Sequence, residues 1–168
     1  DRLDECIKLI RESCNIPIIL FPGSGFQISN KANAILVLSL ISGRNPEYLI
    51  GKHVESAGLL YSSKLQTIPT GYMLIDGGPG NTATYISHTQ AIPHNKLDIA
   101  LATALAGKFL GMQSIFLDAG SGAIHSVSDK MISKINEHVD LPLIVGGGIK
   151  TLEIAQTIYD AGADIVVI

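Results

Sequence analysis

Short apolar runs alternate with segments of helical period from one end of this chain to the other, and that alternation restricts its fold more than any other feature. Aliphatic runs closed by Gly, Ser, Asn or Asp predict strands at 17–21, 34–38, 71–75, 114–117, 141–145 and 164–168. Each is apolar on both faces, as strands of a covered parallel sheet are. Between them, Leu3, Cys6, Ile7 and Ile10 recur at helical spacing, and so do Leu97, Leu101, Ala104 and Leu105. Met131, Ile132, Ile135 and Val139 repeat the pattern after Ser128, and Ile154, Ala155 and Ile158 after Thr151, both good N-capping residues. A further helix is expected over 45–60, with Pro46 in the first turn, where its missing N–H costs nothing.

The pattern implies an α/β fold, and the strand-and-helix count fits a (β/α)8 TIM barrel incomplete at both ends, with about six of eight βα units present. A sheet closes into a barrel only when every edge is paired. Two βα units before Asp1 and a loop plus helix after Ile168 are therefore expected to complete it. Residues 1–168 are read as a single phosphate-binding β/α barrel domain, and 46% hydrophobic residues suffice for one sizeable core. An open doubly wound sheet is the alternative, but no G-x-G-x-x-G follows a strand. The longest near-apolar run, 34–41, contains Ser39 and is far shorter than a membrane span. Cytoplasmic residence is expected, since no secretion signal opens the chain. A net charge of −3 without a dense Lys/Arg cluster argues against nucleic-acid binding.

In parallel β/α folds ligands lie beyond the C-terminal ends of the strands. Four loops leaving those ends are glycine-rich: 21–25, 76–81, 118–123 and 146–149. Successive glycines let backbone N–H groups approach an anion, and a following helix adds its dipole. Gly146, Gly147 and Gly148 have that arrangement, which reads either as a phosphate grip or as a tight strand-to-helix turn. Asp118 is a candidate general base or a loop cap, and Ser121 a phosphate donor or a turn former. Asp76 and Asn81 flank a loop that reads as a cation site or, more simply, as turns. His53, His88, His94, His125 and His138 lack zinc-type spacing, and Cys6 and Cys14 read as core thiols.

The segment Phe116-Leu117-Asp118-Ala119-Gly120-Ser121-Gly122-Ala123 resembles the Tyr-Leu-Glu-Ala-Gly-Ser-Gly-Ala signature of geranylgeranylglyceryl phosphate synthases, barrel prenyltransferases of ether-lipid synthesis. Segments 18–24, 42–46, 71–78, 92–93, 110–112 and 145–149 resemble that family in order and spacing, so the resemblance runs through essentially the whole chain. It implies a transferase in which the 3-hydroxyl of sn-glycerol 1-phosphate attacks C1 of a polyprenyl diphosphate, geranylgeranyl being the expected donor. Asp118 would be the catalytic carboxylate, and Phe116, Leu117, Asp118, Ala119, Gly120, Ser121, Gly122, Gly147 and Gly148 would surround the glycerol phosphate. Tyr48, Tyr61 and Tyr72 are candidates to line a prenyl channel.

The same resemblance implies Mg2+ as cofactor, with its ligands before Asp1 and none within 1–168, together with homo-oligomers and transient contact with a membrane surface for the lipid product. The family's tyrosine and glutamate are Phe116 and Asp118 here, and His94 replaces a common arginine. Asp118 thus reaches less far by one C–C bond, about 1.5 Å. The alternatives are a phosphate-binding barrel homologue without turnover and a phosphosugar isomerase.

Overall fold

The computed structural model describes residues 2–78 and 81–168, so Asp1 and the Pro79-Gly80 part of the expected 76–81 loop lie outside the described residues. Six strands form one parallel sheet in sequential order: β1 (Ile19–Leu20), β2 (Ala34–Leu40), β3 (Gln66–Leu74), β4 (Ser114–Asp118), β5 (Leu143–Gly146) and β6 (Ile165–Val167). The helices are α1 (Arg2–Ser13), α2 (Lys52–Ser63), α3 (Thr82–Ser87), α4 (Leu97–Phe109), α5 (Asp129–Asn136) and α6 (Leu152–Asp160). This is the curled α/β architecture of an incomplete barrel, as the alternating pattern predicts.

Period-2 alternation sorts each strand's side chains between two cores. On the helix side, Met73, Ile75, Ile115, Leu117, Leu143 and Val145 pack with α4, α5 and α6 through Ala104, Met131, Ile132, Ile135 and Ile158. On the interior side, Phe116 packs with Leu36 and Ile144 and is flanked by Leu38, Ile68, Tyr72 and Val167. One layer nearer the N-terminal ends, Thr70 and Ser114 satisfy each other's hydroxyls at 2.9 Å, so these buried polar groups carry no unpaired hydrogen-bonding cost. Ser128 caps α5 by accepting from the Met131 amide, and Thr151 caps α6 by accepting from the Ile154 amide, each at 3.3 Å.

The structure departs from the sequence-based expectations in several places. β3 begins at Gln66 rather than at 71, because Gln66–Tyr72 pair with Ala34–Leu40 of β2 in spite of Pro69. Along a parallel strand, the N–H and C=O of one residue point the same way. The Pro69 carbonyl accepts from the Gln113 amide at 2.7 Å, so the missing N–H faces β4 just ahead of its first pair, Thr70↔Ser114, and no ladder bond is lost. The helix expected over 45–60 starts with a wider π turn, Glu47–Gly51, before α2. The short helix α3 follows an Asn81 cap that the polar sequence did not mark as helical. Cys6 is exposed and Cys14 half-buried, so they are not core thiols: α1 buries only Ile7, which packs with Leu20, Ala32 and Ile35.

Leu117 is fully buried in the helix-side core. Leu117→Ala should destabilise the protein by about 2–5 kcal/mol, measured by urea unfolding, through lost burial plus the cavity left behind. Ser128→Ala, which removes only a cap, should cost about 1 kcal/mol in the same measurement.

Candidate active site

Three of the glycine loops meet at the C-terminal ends of β3, β4 and β5. The ladder runs on into them: the Ile75 amide donates to the Asp118 carbonyl at 2.9 Å and the Ala119 amide to the Gly146 carbonyl at 3.0 Å. The Gly77 carbonyl accepts both the Ile124 and the His125 amides at 3.0 Å. A Cβ at Gly77 would lie 2.7 Å from the Ala119 carbonyl oxygen, too close for any side chain. Gly147 has φ +86, and a Cβ there would lie 2.5 Å from the Gly120 nitrogen and 2.8 Å from Asp118 Oδ1. Gly148 lies directly against the His125 backbone. The loop after β4 is therefore gripped between its two neighbours, backbone against backbone.

Within that grip Asp118 is held at both oxygens. Oδ1 accepts from the Gly120 amide at 2.7 Å, and Oδ2 accepts from the Tyr72 hydroxyl. Burial, and then the adjacent Asp118 charge, push the Tyr72 phenol well above the usual tyrosine range, so it keeps its proton and donates. The Tyr72 ring meets Phe116 edge to face at 5.4 Å, and Phe21 tilts against Phe116 at 5.1 Å. Beyond this aromatic group a cavity of about 590 Å³ opens from Asp118, Gly120 and Ser121. Its wall is mainly apolar, with Leu36, Leu38 and Leu40 from β2, Phe21 beyond β1, and Tyr48 and Ile86 from the flanking helical segments. On its α2 side His53 Nε2 donates to the Leu38 carbonyl at 2.8 Å, and Lys52 Nζ bridges Glu47 at 2.8 Å and Glu55 at 3.0 Å.

The residues singled out in the sequence divide cleanly. Asp118, Gly120 and Ser121 border the cavity, and Gly147 touches the Asp118–Gly120 turn. Gly122 is exposed beside Ser121. Phe116 is 1% exposed beneath the mouth, and the side chains of Leu117 and Ala119 point into the helix-side core. Of the three candidate channel tyrosines, Tyr48 and Tyr72 line the cavity, whereas Tyr61 is 89% exposed and does not, because it sits on the outer face of α2. Asp76 Oδ1 accepts from the Gly78 amide at 3.0 Å, and the Asn81 side chain accepts from the Ala83 and Thr84 amides, so both serve as turn and cap. Asn81 Nδ2 also donates to the Ala119 carbonyl at 3.3 Å and braces the β4 loop, a role no local signal announced. Among the described residues no group of three or more His, Cys, Asp or Glu side chains could hold a metal ion. No helix of the described residues is long and apolar enough to cross a membrane.

The PcrB family matches residues 1–168. The chain belongs to that family. Geranylgeranylglyceryl phosphate synthase of Chitinophaga pinensis is 52% identical over 168 residues, covering 100% of this chain and 67% of the relative. The enzyme of the same name from Pyrococcus furiosus is 42% identical over 167 residues, covering 99% of this chain and 66% of its own length. Among solved structures, (S)-3-O-geranylgeranylglyceryl phosphate synthase of Thermoplasma acidophilum, in complex with sn-glycerol-1-phosphate, superposes with a TM-score of 0.89 at 36% identity, covering 99% of this chain and 66% of that one. This PcrB-family chain thus spans about two thirds of the length of the relatives it matches.

Gly147→Ala should be strongly destabilising. The left-handed backbone costs a side chain about 1–2 kcal/mol, and the Gly120 contact adds overlap that backbone alone cannot relieve. Thermal unfolding should show a loss of at least about 2 kcal/mol, whereas Asn81→Ala should lose about 1 kcal/mol through its cap.

Proposed function

We propose that the protein is a prenyltransferase that joins the 3-hydroxyl of sn-glycerol 1-phosphate to C1 of a polyprenyl diphosphate, with geranylgeranyl diphosphate as the expected donor. The observation that carries this reading is the juxtaposition at one mouth of a fixed carboxylate, a glycine-rich turn and a large apolar cavity. A small polar acceptor and a long apolar donor need such a site, with polar anchoring at one end and water-free burial at the other. The named relatives and the glycerol-phosphate complex of the Thermoplasma enzyme support the same substrate pair.

In this reading the backbone amides around Gly147 and Gly148 and the Ser121 hydroxyl hold the phosphate. Gly120 and Gly122 give the turn its close approach, while Phe116, Leu117 and Ala119 support it from beneath through packing. Asp118 orients the 3-hydroxyl and receives its proton as the new C–O bond forms at C1 and the bond from C1 to the diphosphate oxygen breaks. The prenyl tail lies along Leu38, Leu40, Phe21 and Tyr48. Among the described residues no cluster of ligands for Mg2+ is present. Homo-oligomers, transient contact with a membrane surface to release the lipid and cytoplasmic residence complete the proposal.

Incubation of the full-length protein with labelled glycerol 1-phosphate, magnesium and prenyl diphosphates of several lengths should give a labelled lipid. No lipid with any donor would sink the enzyme reading, and retained glycerol 1-phosphate binding in that case would identify a homologue without turnover. Asp118→Asn should lower kcat by about a hundredfold or more. Ser121→Ala, which removes one hydrogen bond, should raise KM for glycerol 1-phosphate by about threefold to tenfold.

A further inference from the structure

We propose that Tyr72 is a positioning residue of this site: its hydroxyl and the Gly120 amide clamp the two oxygens of Asp118. The inference rests on the reading of Asp118 as the group that receives the substrate proton.

A carboxylate at the end of a strand is free to turn about its terminal torsion, where the rotamer preference is broad. Asp118 loses that freedom because its donors arrive at different oxygens and are both fixed. The Gly120 amide is fixed by a turn that closes two residues after Asp118 and packs against Gly147, 2.5 Å from where a Cβ of that residue would stand. The Tyr72 hydroxyl is fixed by the pairing of Tyr72 with Phe116 across the β3–β4 ladder and by the edge-to-face contact of the two rings at 87°. Each Asp118 oxygen accepts one bond and keeps lone-pair capacity for a substrate hydroxyl.

A glutamate would place the carboxylate about 1.5 Å farther out. Its oxygens would then no longer stand where the Gly120 amide and the Tyr72 hydroxyl meet those of Asp118. The ring of Tyr72 is separable from its hydroxyl, because Tyr72→Phe preserves the stacking with Phe116 and Phe21 and removes only the donor.

Steady-state kinetics of the full-length protein test the clamp. Tyr72→Phe should lower kcat by about tenfold to a hundredfold, the effect of a loosely held catalytic group, while leaving KM for glycerol 1-phosphate nearly unchanged. Asp118→Glu should lose activity to a similar degree alone and cost less in the Tyr72→Phe background, a coupling that separates shared geometry from independent damage. Wild-type kcat in Tyr72→Phe, or an Asp118→Glu variant as active as the parent, would overturn the proposal. A second readout does not need turnover: in urea unfolding the stability losses of Tyr72→Phe and Asp118→Asn should be less than additive, since each variant breaks the same hydrogen bond. Strictly additive losses would show that the contact does not exist. Absence of product with every prenyl diphosphate would remove the reaction assigned above, and the unfolding cycle would then still decide whether Tyr72 grips Asp118.

Discussion

The mouth of this molecule depends on β4 being paired on both sides. With β3 on one flank and β5 on the other, its last residues leave the sheet between two glycine loops and have no room to choose another path. Gly77 on one side and Gly147 on the other let backbone touch backbone, so the turn carrying Asp118, Gly120 and Ser121 is set by main-chain contacts rather than by side-chain packing. Main-chain contacts of this kind have little freedom to lose, which makes them a rigid base for the Asp118 carboxylate.

The two cores divide the labour on either side of this strand. The helix-side core, with Ile115 and Leu117 against α4 and α5, supplies the burial that holds β4 in place. The interior core supports the end of the strand from beneath, because Phe116 lies one period-2 step below Asp118 and on the same face. Gly146 belongs to the same arrangement, since a Cβ there would lie 3.1 Å from the Phe116 ring. A large aromatic at 116 and no side chain at 146 are thus one packing solution written on two strands.

Much of this was legible in the chain. Ser128 and Thr151 act as caps where an N-cap residue precedes a helical stripe, because capping is local and needs only the next three amides. The parallel sheet followed from the βα alternation, and Asp118, Gly120 and Ser121 reach the mouth because strand ends in such folds face it. What escaped was non-local. Pro69 disguised the first half of β3, since its tolerance depends on where β4 begins. α3 is only six residues long and is held by Asn81, whose side chain also reaches the Ala119 carbonyl, a contact with no counterpart in local pattern. Tyr61 and Tyr72 look alike as tyrosines beside apolar residues, yet one is 89% exposed and the other lies against Asp118.

Sequence by itself determined the α/β alternation, the glycine loops after the strands and the family to which the chain belongs, because periodicity, turn chemistry and short motifs are written in consecutive residues. Only the tertiary structure decided that Tyr72 stands opposite Phe116 and donates a hydrogen bond to Asp118. The two residues are joined through a long crossover, and the register of parallel strands is set by packing of whole faces rather than by any neighbouring turn.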